Sequence, residues 1–211
     1  MANIDDLVAD LAQQAGTVKP APHPYRLSLQ WIGAAAAYLA LSLALSGVRP
    51  DLAEKLHNIW FAAEILSLLA VFIVTSLSAA LLAFPDLYQK RHLAFAPILP
   101  FLLFLLVMAL AWHADSPPAP LPIHSFECTA GITLMALLPA AWTFYSMRRY
   151  ASTHYRLAGS VALLSAFSVG ALWLRLHEAN DSIVHVIEWH YLPMLVIGLL
   201  GLWLGKVLLK W

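Results

Sequence analysis

Hydrophobic and polar positions alternate on two scales along this chain, and the coarser scale sets the fold class. Six apolar runs, near residues 28–47, 59–84, 93–112, 126–147, 157–176 and 183–208, each reach the roughly 20 residues a helix needs to cross a bilayer. Polar or turn-forming segments separate them. Val48–Asn58 carries Arg49, Pro50, Asp51, Glu54 and Lys55, and Pro85-Asp86 opens a turn closed by Lys90-Arg91. Asp115–Pro122 is rich in proline and cannot be helical throughout, Arg148–Arg156 is basic, and Glu178–Asp181 reads as a tight hairpin. In hydrocarbon every backbone polar group must be satisfied within the protein, so these runs are expected to be helices. Pro193 either kinks the sixth span or begins it.

The finer scale occupies the first 26 residues. Ile4, Leu7, Val8 and Leu11 fall at i, i+3, i+4 and i+7, on one helix face, with Asp5, Asp6 and Asp10 off it. The expected architecture is all-α: an integral membrane bundle of six transmembrane helices with a short cytoplasmic N-terminal amphipathic helix. Residues 1–26 form a tail and linker, and 27–211 form a transmembrane domain.

Composition agrees. Of the 211 residues, 61% are hydrophobic and only 11% charged, and the mean hydropathy is +0.74; a soluble domain carries about twice that charge. The formal net charge is zero, and no basic patch argues for direct nucleic-acid binding. Apolar sequence starts too late, with no compact basic stretch before it, for a cleaved signal peptide to be expected. A single cysteine, Cys128, excludes an internal disulfide and an all-cysteine metal site.

Lysine and arginine bias sets orientation. With the N-terminus in the cytoplasm, Lys19, Arg26, Lys90, Arg91, Arg148, Arg149, Arg156, Lys206 and Lys210 lie inside, and Arg49, Lys55 and Arg175 outside. Both termini are therefore expected to be cytoplasmic. The same topology gathers His57, His113, His124, His177, His185 and His190 at the outer face, with Asp51, Glu54, Asp115, Glu127, Glu178, Asp181, Glu188 and Cys128.

Two groups could carry chemistry. If His177–Tyr191 is locally helical, His185 and Glu188 share a face and His177 aligns with Asp181. Imidazoles and carboxylates at a membrane surface suit zinc or another borderline divalent ion, and Cys128 could complete the set from the fourth span. Cys128, His177, Glu178, Asp181 and His185 are the candidate metal ligands. The spacing matches no zinc signature, and His, Trp and Tyr also sit comfortably at headgroup depth, so interfacial decoration stays open. Glu64 lies inside the second span, where an ionisable group is costly and commonly paired or functional. Glu64, Glu188 and His190 are candidate sensing residues. Gly198, Gly201 and Gly205 permit close helix approach. No nucleophile–base ordering or phosphate loop points to an enzyme.

The tail is acidic, whereas helices that lie on membranes are usually basic. Alone it is too short to hold a helix. It would fold on docking into a partner's groove, held off the membrane by the proline-rich spacer Thr17–Pro24.

The chain resembles the negative-regulator-of-sigma-F (NrsF) family, six-span membrane anti-sigma factors. Ordered elements across nearly the whole chain carry the likeness: the stretch from Leu7 to Arg26, the Arg49-Pro50-Asp51-Leu52 loop, and the Phe84-Pro85-Asp86 turn. Cys128 opening the fourth span follows, then Arg148-Arg149 before Gly159, Leu176-His177 followed by Asp181, and Trp189-His190-Tyr191. The resemblance implies a location in the bacterial inner membrane. It implies that Ile4 to Leu11 binds an extracytoplasmic-function sigma factor, and that an outward-facing cysteine pair passes a stress signal inward. Here the second cysteine position holds Glu178, so a dithiol switch is impossible; metal binding and oxidation of Cys128 stand as candidate signals. A small metal-ion or other ion transporter lined by Glu64, Glu188 and histidines is the alternative, although the spans show no evident inverted repeat. A haem-binding carrier with histidine axial ligands is a third class.

Overall fold

A computed structural model describes residues 4–14, 21–85, 91–114 and 126–210. Part of the Thr17–Pro24 linker, the Asp115–Pro122 loop, Lys19, Asp86, Lys90 and His124 lie outside the described residues. Every element within them is helical. The order is α1 (Ile4–Gln14), α2 (Pro24–Ser46), α3 (Leu52–Lys55), α4 (Ile59–Leu82), α5 (Arg91–Ala94), α6 (Ile98–Ala114), α7 (Phe126–Met147), α8 (Tyr155–His177), α9 (Ile183–His185), a π-helical turn (Val186–Tyr191) and α10 (Leu192–Leu208). Six helical stretches are long and apolar enough to cross a membrane: α2, α4, α5 with α6, α7, α8, and α9 through α10. The protein is a multi-pass membrane bundle.

Local chemistry places the boundaries. α2 starts at Pro24, earlier than the apolar run alone suggests. Proline suits the first helical position because its missing N–H has no helical partner to lose, and the His23 ring accepts from the Tyr25 N–H. It stops at Gly47, whose φ of 86° suits a residue without Cβ. Asn58 caps α4 by accepting from the N–H groups of Trp60 and Phe61, at 2.9 and 3.2 Å.

α8 is the axis of the bundle and α4 its nearest neighbour in burial, with 78% and 61% of their most apolar windows buried; α2 has only 17%, leaving its flank to lipid. α8 meets α10 through glycine. A Cβ on Gly159 would run into the Gly201 carbonyl and Gly205, and one on Gly205 into the Tyr155 carbonyl. The Ser160 hydroxyl adds a 2.7 Å hydrogen bond to the Gly198 carbonyl. Without a hydrophobic drive between helices in lipid, this close backbone contact is what holds α8 and α10 together. α7 approaches α8 in the same way at Gly170, against the Ile132 carbonyl, and α4 meets it through a 2.7 Å Ser76–Ser165 hydrogen bond.

Up-and-down connection leaves two unlike ends. One carries Arg148, Arg149, Arg156 and the last turn of α10. The other carries the segment 47–58, the start of α7 and the stretch 177–191. α1 packs on neither: Ile4, Leu7, Val8 and Leu11 are 55–75% exposed, and no residue of α1 is buried.

Candidate metal centre

At the second end, four side chains from four short stretches converge. Cys128 comes from the first turn of α7, Glu178 from the residue just past α8, His185 from α9 and His190 from the π-helical turn. Their ligand atoms all lie within 4.8 Å of one another. Cys128 Sγ is 3.4 Å from His185 Nε2 and 3.4 Å from Glu178 Oε2, and His190 Nε2 is 3.7 Å from Glu178 Oε2. Ligands bound at 2.0–2.3 Å around a tetrahedral zinc stand roughly 3.3–3.7 Å apart, and these three separations fall within that range. His185 and His190 are fully buried, and neither ring nitrogen of His190 has a hydrogen-bond partner. A buried imidazole without partners is costly unless something binds it. Thiol, two imidazoles and a carboxylate match the donors of borderline divalent ions.

The other residues expected at this site lie elsewhere. His177 stacks on Trp173, with ring centroids 5.2 Å apart, and its Nδ1 is 2.8 Å from the Gly47 carbonyl. The stretch after His177 is not helical, so His177 and Asp181 do not align. Asp181 instead receives Arg49 on both oxygens, at 2.9 Å each, and Lys55 at 2.8 Å. Glu188 is exposed. Glu64 is buried and accepts from Arg175 Nε at 2.6 Å and Nη2 at 2.9 Å, and from the Tyr191 hydroxyl. Arg175 also donates to the Asn180 carbonyl at 2.8 Å, and the Arg49 and Arg175 guanidinium groups each lie over the Phe61 ring, at 5.2 and 5.1 Å from its centroid.

Arg49, Arg175 and Tyr191 stand outside the candidate site residues that the sequence suggests. A signal existed for Arg175: it is the one charged residue within the 157–176 run, as Glu64 is within 59–84, and intramembrane charges pair. Arg49 lies in the polar separator Val48–Asn58, yet its side chain is wholly buried.

Arg49 forks between Asp51, at 2.7 and 2.8 Å, and Asp181. Its hydrogen bonds hold the Asp51 carboxyl down at about 2. Burial pushes the Asp181 carboxyl up, but the bonds from Arg49 and Lys55 outweigh it and the net shift is downward. The two aspartates in turn raise the Arg49 guanidinium above its ordinary range. A carboxylate depressed on folding gives stability that is complete above its unfolded value near 3.9 and lost as pH falls through its folded value. The share of the melting temperature in detergent that the Arg49 clamp supplies should therefore be constant from pH 7 to 5 and fall toward pH 2. The gap between wild type and Arg49→Gln should close over that acid limb. A gap that stays constant to pH 2 would show that the clamp contributes nothing.

Residues 11–211 match the family model described as "Negative regulator of sigma F" (NrsF). The chain is similar to the "Anti-sigma-F factor NrsF" of Caulobacter vibrioides, 28% identical over 216 residues that span 98% of this chain and 99% of that one. It is likewise similar to the "Probable anti-sigma-F factor NrsF" of Azospira oryzae, 32% identical over 219 residues covering 98% and 99%. No solved structure matches it.

Proposed function

The chain belongs to the NrsF family of negative regulators of sigma F, and from that premise we propose that it sequesters an extracytoplasmic-function sigma factor at the bacterial inner membrane and releases it on an outer-side signal. Membership makes it an anti-sigma regulator, regulatory rather than catalytic. The finer reading has two parts. The tail, residues 1–26, is the sigma-binding element, and the domain 27–211 is the sensor.

One observation carries the first part: α1 holds Ile4, Leu7, Val8 and Leu11 on one face with none of them buried against the bundle. An apolar stripe left uncovered in a helix of eleven residues suits insertion into a partner's groove. The excess of lysine and arginine at the other loops supports a cytoplasmic tail and C-terminus. A peptide of residues 1–26 is expected to bind the sigma factor and to displace it from the full-length protein in detergent. A peptide that does neither would sink the assignment.

The second part rests on Cys128, Glu178, His185 and His190, which we assign to a divalent cation, with zinc the ion whose donor preferences they fit best. Bound there, the ion would stitch α7 to the stretch after α8. Cys128→Ser should weaken Zn²⁺ binding on the order of 100-fold, since even an outer partner of a ligand is worth 10–100-fold, while sigma capture persists. Competition against a chromophoric chelator reads the first and co-purification the second; unchanged Zn²⁺ affinity would remove the cluster from the mechanism. The transporter alternative places Glu64 and Glu188 along one path. Glu64 is instead locked to Arg175 and Tyr191, and Glu188 is exposed.

A further inference from the structure

The two histidines of the cluster are five residues apart, and that spacing is the puzzle. At 3.6 residues per turn, residues i and i+5 lie roughly 140° apart around an α-helix, so His185 and His190 would face different neighbours. They face each other, with ring centroids 5.2 Å apart. The π-helical turn Val186–Tyr191 is the cause. Its i→i+5 bonding, seen where the Leu192 N–H donates to the Ile187 carbonyl, fits one extra residue into the turn and brings i+5 back over i.

A second observation shows that the turn is braced from outside. Pro193, four residues after Trp189, has no N–H to offer the Trp189 carbonyl. That carbonyl is met instead by the Thr129 hydroxyl of α7 at 2.6 Å, one residue from Cys128. The flanks differ in freedom. On the far side α10 is pinned to α8 through Gly198, Gly201 and Gly205. On the near side lie only the three residues of α9 and the non-helical stretch 178–182, which holds Asp181 against Arg49 and Lys55.

We infer that the π-helical turn is a register switch governed by the ion, an inference that rests on the reading of the cluster as a metal site. An ion shared by His185 and His190 favours the wide turn. When it leaves, the turn tightens by one residue toward α-helix. Because α10 cannot rotate, α9 does, and it swings His185 away from Cys128 and pulls Asp181 from Arg49 and Lys55. The ion shifts this equilibrium only because it binds the wide turn better than the tight one. π-turns concentrate at functional sites for this reason: each is one residue away from a regular helix.

Deleting Glu188, the exposed residue of the turn, separates this switch from metal binding itself. It leaves the histidines four apart, neighbours on one face of an α-helix. Zn²⁺ affinity of the full-length deletion protein in nanodiscs is expected to stay within about threefold of wild type. In wild type, Zn²⁺ should slow amide hydrogen exchange across 178–192, and in the deletion protein that response should fall at least about fivefold. Thr129→Val is a milder test with every ligand intact: losing one hydrogen bond that holds the wide turn should weaken Zn²⁺ binding roughly three- to tenfold. Zn²⁺ binding by wild type with no change in exchange over 178–192 would overturn the switch and leave the metal site standing. Thr129→Val at wild-type affinity, or a deletion protein whose exchange still responds fully, would overturn it as well. Absence of Zn²⁺ binding by wild type would overturn both readings.

Discussion

Leu7→Asp combined with Leu11→Asp is expected to abolish sigma capture while leaving the bundle intact. Each leucine side chain that becomes buried on docking contributes about 1.5–3 kcal/mol, and an aspartate in its place adds the cost of desolvating a charge. Together the two changes remove at least roughly 4 kcal/mol, near a thousandfold in affinity. The bundle does not feel them, because no residue of α1 is buried. Co-purification of the sigma factor should vanish, transcription from its promoters should become constitutive, and the thermal unfolding of the variant should overlay that of wild type. Removing residues 1–15 should do the same. Retained co-purification with either variant would place the sigma-binding surface outside the tail.

Arg175→Ala carries the largest expected cost in stability. The side chains of Arg175 and Glu64 are only 4% and 5% exposed, so removing the arginine strands a carboxylate in the protein interior. Breaking one side of a buried ion pair costs about 3–5 kcal/mol, a large part of the roughly 5–15 kcal/mol that holds a typical fold. The variant should reach the membrane at a small fraction of wild-type abundance and melt well below it. Glu64→Met with Arg175→Leu removes both charges and should recover most of the loss, since apolar replacements of a whole buried pair are often neutral. Recovery should stop short of complete, because Arg175 also donates to the Asn180 carbonyl. A single Arg175→Ala protein as stable as wild type would mean that the pair is not a structural tie.

Much of the fold was legible because membrane spans declare themselves by composition, and the caps then trim their ends. Asn58 and Gly47 mark two boundaries within a residue or so of where the apolar runs place them, and Pro24 moves a third outward. The end of the bundle was legible as chemistry but not as geometry. Cys128, Glu178 and His185 carry the right atoms, and the structure gathers them. His190 read as a separate residue because α-helical periodicity sends i+5 to another face, and nothing in Val186–Tyr191 announces a π-turn. His177 and Asp181 were grouped with the cluster by assuming a continuous helix. The chain breaks after His177, and the loop turns Asp181 toward Arg49. That contact joins residues 132 positions apart, a separation no local pattern encodes.

The Glu64–Arg175 pair has a consequence for how the protein is made. Glu64 belongs to the second span and Arg175 to the fifth, 111 residues later. At synthesis rates of about 5–20 residues per second, the carboxylate waits on the order of ten seconds for its cation. Until then α4 is a span with an unanswered acid at its rim, and α8, the most buried of the six spans in the finished bundle, has yet to arrive. The early spans are therefore provisional lodgers in the bilayer, and the bundle becomes permanent only when the fifth span slides into the middle of its elders.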